Sequence, residues 1–416
     1  MSSTRLARGW AAAAFVALAA LLASGNALAH EEKPSFVASW AAGHINPLPE
    51  AILRFSNQTV REVVRASGGG ELVRVRIANT FGTETLVIGE ARIALSAGES
   101  TIIPRSSRVL TFGGKRSVKV YAGSPVLSDP VGLDVKPMAE LAVSLYLPGT
   151  AAASTTTLFQ GSSYVSLLPG NHSAAAELPS ASALPAWPFL SGINLSAKRG
   201  EAIVAFADSA TLTSEWPRFL AERVQSHHST DHLGVVSMAL AGNRMLHNSA
   251  SPLGPSSPNP QWGQSLLARF DRDVLGQAGV RHVIVFIGLN DIAGPGGFFP
   301  PSEVVAVADL VAGYRQLTAR AREAGLSIHA CTLPPVEGNT SLPGYDTPAN
   351  EAKRREFNHW IRTSGEFDSV IDVDRILRDP SHPSRLLPAY DSGDHLHPNA
   401  AGGRAIADAI DLKDFR

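Results

Sequence analysis

One change of rhythm constrains this 416-residue chain more than any other feature. Up to about Ser196 its apolar residues recur with period two; beyond residue 200, short apolar runs alternate with helical stretches. Leu72-Val73-Arg74-Val75-Arg76-Ile77, Ser117-Val118-Lys119-Val120-Tyr121 and Leu141 to Leu147 each alternate apolar with polar or small residues. Turn signals at Gly68-Gly69-Gly70, Gly113-Gly114, Asp129-Pro130 and Pro148-Gly149 separate them. Half-buried strands joined by frequent turns predict an antiparallel β-sandwich or a similar all-β module. No internal repeat is present, and Ser173 to Pro188, rich in Ala, Ser and Pro, reads as a long connection.

The second half has a different logic. Ala202 to Ala207, Val283 to Ile287, Ser327 to Leu333 and Ser369 to Val373 have strand length, and the second is apolar enough to be covered on both faces. Helical patterns run over Glu215 to Val224, Pro301 to Ala324, Pro348 to Arg362 and Ala400 to Asp411. Strand–helix alternation predicts a parallel sheet flanked by helices, with ligands beyond the carboxyl ends of the strands. The expected organisation is a leader over 1–29, a β-rich domain with its linker over 30–197, and an α/β domain over 198–416.

The leader is read from Arg5 and Arg8, the apolar run Trp10 to Leu22, and the small-x-small site Ala27-Leu28-Ala29. The run is shorter than the roughly 20 residues of a spanning helix. The expectation is export, to the periplasm or the medium, with cleavage after Ala29 and no stable membrane insertion. Lys plus Arg total 36 against 37 Asp plus Glu, so no basic excess exists to hold nucleic acid. A single cysteine, Cys331, excludes an intrachain disulfide and a cysteine zinc site.

Four strand ends carry the polar residues that matter. Ser209 follows Phe206-Ala207-Asp208 and is either a nucleophile or part of a helix cap. Gly242 ends the run Val235 to Ala241, where a backbone N–H can approach a ligand or the chain simply turns. Asn290 follows Ile287-Gly288-Leu289 and offers an amide donor or an Asx-turn. In Asp391-Ser392-Gly393-Asp394-His395-Leu396-His397-Pro398, Asp394 and His397 are three apart, so one tight turn can join carboxylate and imidazole. A His395-x-His397 metal pair is the rival there, without a nearby motif to complete it.

The order Ser…Gly…Asn…Asp-x-x-His on successive strand ends resembles the SGNH (GDSL-type) ester hydrolases. Ser39-Trp40-Ala41, Asn79-Thr80-Phe81-Gly82-Thr83 and Ser128-Asp129-Pro130 are similar to the β-rich module of a bacterial branch with xylan-associated arylesterase-like and acylhydrolase-like members. The resemblance implies a flavodoxin-like three-layer α/β/α domain behind an all-β, sandwich-like one. It implies Ser209 as nucleophile, His397 as base, Asp394 as its orienting carboxylate, and an oxyanion hole from the Ser209 and Gly242 backbone N–H groups with the Asn290 amide. No metal or organic cofactor is needed; the expected partner is a small-molecule or polysaccharide ester, with short acyl chains favoured. Two departures stand out: Ala207 replaces the usual Gly of Gly-Asp-Ser, and the Asp-Gly loop common after the serine is missing. A side chain at 207 strains the turn if that position needs positive φ.

Other residues invite a reading. His227, His228 and His232 fit a solvated turn, and Cys331 a buried small hydrophobe. Trp262, in the loop-like stretch Ser249 to Gln264, either lines the cleft mouth or packs beneath it. Rival functions are a lysophospholipase-like acylhydrolase and a carbohydrate-binding protein with a decayed hydrolase domain.

Overall fold

The computed structural model describes residues 35–158, 161–249 and 262–415. The leader expected over 1–29, and most of the loop around Ser249 to Gln264, lie outside the described residues.

In the first half, two antiparallel sheets face one another. One contains Ser35–Ala41, Leu190–Ala197, Gly70–Ala78, Val131–Val135 and Pro125–Leu127; the other is built around Arg54–Arg65 and Glu140–Ala152. The alternation sets which side chains fill the space between them. Val73, Val75 and Ile77 from one sheet meet Val60, Val64, Val143 and Leu145 from the other, while Arg74 and Arg76 point the opposite way.

The stretch Ser173 to Pro188 is not a free connection, contrary to its composition. Ala181–Ala183 pairs with Ser162–Ser166, and Thr157 lies opposite Trp187. The physical reason is Arg61, a buried guanidinium that donates to the carbonyls of Ser173, Ala175 and Ala176 and so pins the segment down.

The second half is a parallel sheet in the spatial order Leu233–Ser237, Glu201–Ala207, Val280–Phe286, Ser327–Cys331, Ser369–Ile371. The second strand in sequence is thus the edge and the first lies beside it, the flavodoxin-like order whose switch point falls between the first and third strands. Helices Trp216–Ser226, Val307–Glu323, Pro348–Thr363 and Ala400–Ala409 accompany it.

The two halves share a strand. Val37, Ala38 and Ala41 of Ser35–Ala41 belong to the hydrophobic core of the parallel sheet, whereas Trp40 and Ala42 belong to that of the sandwich. The edge strand Leu233–Ser237 is covered from the sandwich side. Val235 N–H donates to Ser67 Oγ (2.9 Å), which in turn donates to the Ser39 carbonyl (2.7 Å). Gly234 permits the contact, since a Cβ there would lie 2.1 Å from the Ala38 carbonyl oxygen. An edge that would otherwise offer free backbone groups is closed.

Candidate active site

Ser209 is the first residue of a short helix, Ser209–Ser214, that starts where the strand Glu201–Ala207 stops. Asp208 is its N-cap, with Oδ1 accepting the Ala210 N–H at 3.1 Å. Ala207 ends the strand and is absent from the residues with positive φ, so a Cβ is tolerated there without backbone strain. The sequence left open whether Ser209 served a cap or a cleft. The cap is Asp208, and the Ser209 hydroxyl lies 2.9 Å from His397 Nε2.

His397 is held by the turn that precedes helix Ala400–Ala409. Asn399 caps that helix, accepting from Ala401 and Gly402 N–H, and its amide donates to the carbonyls of Ala389 and Asp391. Asp394 Oδ2 lies 2.6 Å from His397 Nδ1. The same carboxylate accepts from Ser392 and Ser341 hydroxyls and from the Leu396 and His397 backbone N–H groups. Partial burial works to raise its pKa. The bonds from the His397 backbone and ring, Leu396 and Ser341 outweigh that and hold it well below the usual carboxylate range. Asp391 engages other groups: the N–H of Gly393 and His395 and the His395 ring. The Nδ1 atoms of His395 and His397 therefore each face their own carboxylate.

Gly242 turns with φ +62° after the edge strand, a conformation glycine adopts freely. A Cβ at that position would lie 3.1 Å from Trp262 Cγ, so the Trp262 ring packs directly on the turn. Among the described residues, neither the Ser209 nor the Gly242 backbone N–H finds an acceptor. Asn290 heads the segment after the third strand and is buried. Its amide nitrogen donates to the Asn243 carbonyl (2.9 Å) and, at 3.4 Å, weakly to Asp208 Oδ2. One amide hydrogen is thus committed and the other only loosely held.

Several residues of this site carried no sequence signal. Tyr345 OH donates to Asn290 Oδ1 (2.8 Å), which fixes the direction of the amide. Asp291 accepts the N–H groups of Met245 and Leu246 and so clamps the chain after Gly242. Burial, with partial relief from backbone N–H groups, pushes Asp208 up to about 7 and Asp291 up to about 6. Arg269 and Asn243 lie completely buried behind the turn. Each acts on a partner distant in sequence, and only the Asn290-Asp291 adjacency hinted at one of them.

Elsewhere, His227 and His228 are exposed and His232 is half-buried. Cys331 is buried at a strand end, its thiol pushed up by burial. Among the described residues no cluster of three or more His, Cys, Asp or Glu side chains is arranged to hold a metal.

Residues 201–405 match the model of the GDSL-like Lipase/Acylhydrolase family. Among solved structures, the chain is similar to an acetylxylan esterase from Geobacillus stearothermophilus, at 20% identity over 52% of this chain and 96% of that one, TM-score 0.38. It is also similar to a GDSL-like lipase from Bacteroides thetaiotaomicron, at 15% identity over 53% and 90%, TM-score 0.37. No curated protein matches the chain. With the parallel sheet, its strand-end residues and the matched segment all in place, residues 201–405 form a domain of the GDSL-like lipase/acylhydrolase family, preceded by a β-rich region.

Proposed function

We propose that this protein is an exported serine ester hydrolase that cleaves short-chain acyl or aryl esters, with acylated polysaccharide as one candidate carrier, through an acyl-enzyme. The observation that carries the reading is the hydrogen-bonded line Ser209 Oγ, His397 Nε2, His397 Nδ1, Asp394 Oδ2, with separations of 2.9 and 2.6 Å. A serine hydroxyl is a weak nucleophile until a base within hydrogen-bond reach removes its proton. In this reading His397 takes that proton as Ser209 attacks the ester carbonyl, and Asp394 keeps Nδ1 protonated and stabilises the imidazolium. The negative charge that develops on the carbonyl oxygen falls to the Ser209 and Gly242 N–H groups and to the loosely held hydrogen of Asn290. His397 then protonates the departing alcohol, and a water activated by the same imidazole releases the acid.

Export rests on Arg5, Arg8 and the run to Ala29; among the described residues no helix is long and apolar enough to cross a membrane.

Ser209→Ala tests the assignment. Hydrolysis of p-nitrophenyl acetate should fall by roughly three orders of magnitude or more with the melting temperature unchanged. Undiminished turnover by the folded variant would remove Ser209 from the chemistry. A panel of acyl chain lengths together with acetylated xylan then places the substrate.

A further inference from the structure

Arg269 lies on the short helix Leu266–Phe270, and its side chain is entirely buried. Burial of a cation is costly and is retained only where its hydrogen bonds are complete. Here they are complete. Nε donates to Asn243 Oδ1 (3.1 Å); one terminal nitrogen donates to the Met238 carbonyl (2.7 Å) and Asp273 Oδ2 (3.0 Å); the other donates to Asn243 Oδ1 (3.0 Å) and the Ala207 carbonyl (3.3 Å). The guanidinium carbon stands 4.3 Å from the centre of the Phe206 ring. Asp273 supplies the counter-charge and is itself held by Arg272 at 2.7 Å.

The acceptors say what the bracket is for. The Ala207 carbonyl belongs to the residue two before Ser209. Met238 directly follows the edge strand, and Asn243 directly follows Gly242. The Asn243 carbonyl, in turn, receives the Asn290 amide. One planar, five-donor group therefore ties together the backbone segments that present all three candidate oxyanion donors. Lysine has no such fork, and an apolar side chain would leave these acceptors unmet.

We propose that Arg269 is a positioning residue for the oxyanion hole: it sets the distance and angle between the Ser209 and Gly242 turns, so that their N–H groups meet one oxygen. The proposal rests on the ester-hydrolase reading of Ser209, Gly242 and Asn290. Wild-type turnover of p-nitrophenyl acetate and its loss in Ser209→Ala establish that reading separately, before any Arg269 variant is judged.

The experiment measures kcat, KM and melting temperature for Arg269→Ala, Arg269→Lys and Arg354→Ala, with and without guanidinium at low millimolar concentration. Arg354, on helix Pro348–Thr363, is another buried, ion-paired arginine, bound to Glu351 of that helix and to Asp374 on Val373–Leu377, and serves as the structural control. Removing one oxyanion donor lowers kcat by roughly 100- to 1000-fold in other hydrolases. Arg269→Ala should fall by about 100-fold in kcat with KM within about threefold. Guanidinium should restore at least about tenfold of that loss, while Arg354→Ala should lose stability but keep kcat. If Arg269→Ala does not fold, Arg269→Lys decides, with kcat expected to fall by about tenfold at nearly constant KM. Unchanged kcat in a folded Arg269 variant overturns the proposal. So does a loss that guanidinium does not relieve and that Arg354→Ala reproduces in proportion to its lost stability.

Discussion

At the scale of residues, the two aspartates beside the proposed base make a sharp comparison. Asp394 meets His397 Nδ1, whereas Asp391 meets the His395 ring and closes a turn. Loss of the orienting carboxylate frees the imidazole to take the wrong tautomer, which costs roughly ten thousand-fold in kcat in a comparable triad. Asp394→Asn should be impaired on that order near neutral pH, and Asp391→Asn should stay close to wild type. Rate against pH for both variants checks this; a crippled Asp391→Asn would reassign the carboxylate. Ser209, Asp394 and His397 were legible because their types, order and three-residue spacing are written in the chain. Tyr345 and Arg269 were not. Tyr345 acts across 55 residues of sequence on Asn290, and the Arg269–Asp273 pair, four apart on a helical stretch, has the spacing of an ordinary solvated ion pair.

At the scale of elements, periodicity located the parallel strands to within a few residues, because strands buried on both faces are plainly apolar. It failed where a segment's order depends on a partner elsewhere, as Ser173 to Pro188 depends on Arg61. It also began its first helix at Glu215 and missed the short helix Ser209–Ser214; Glu215, with φ of +54°, separates that helix from Trp216–Ser226. The cap of the first of these helices carries a pH signature. Asp208 has an ordinary value near 3.8 and is pushed up to about 7 by burial, so the folded protein holds a proton that the unfolded chain has released between those limits. Its contribution to stability therefore falls as pH rises from about 4 to about 7 and is level above that. Asp208→Asn should gain melting temperature relative to wild type across that window and hold a constant difference at higher pH. A difference independent of pH would show that Asp208 is ionised throughout.

At the scale of the whole molecule, the β-rich half is built into the wall of the hydrolase half. Gly234 is the clearest case, with the Ala38 carbonyl 2.1 Å from where a Cβ would stand. Gly234→Ala must push the shared strand away from the sheet edge, at a cost of about 1–3 kcal/mol. Thermal unfolding should register this as a lower midpoint; an unchanged midpoint would mean that the contact is loose. None of it was readable in advance, since a glycine in an apolar run says nothing of which backbone comes close. The shared strand also dictates timing. Ser35–Ala41 is separated from its pairing partner, which ends at Ala197, by nearly the whole of the sandwich, so it stays unpaired until that last strand has joined. During that wait its apolar residues are open to the wrong partner. The edge strand Leu233–Ser237, which packs on the same shared strand, lies later still in the chain. Until Leu190–Ala197 is in place, the strand that joins the two halves has an open edge and exposed apolar side chains.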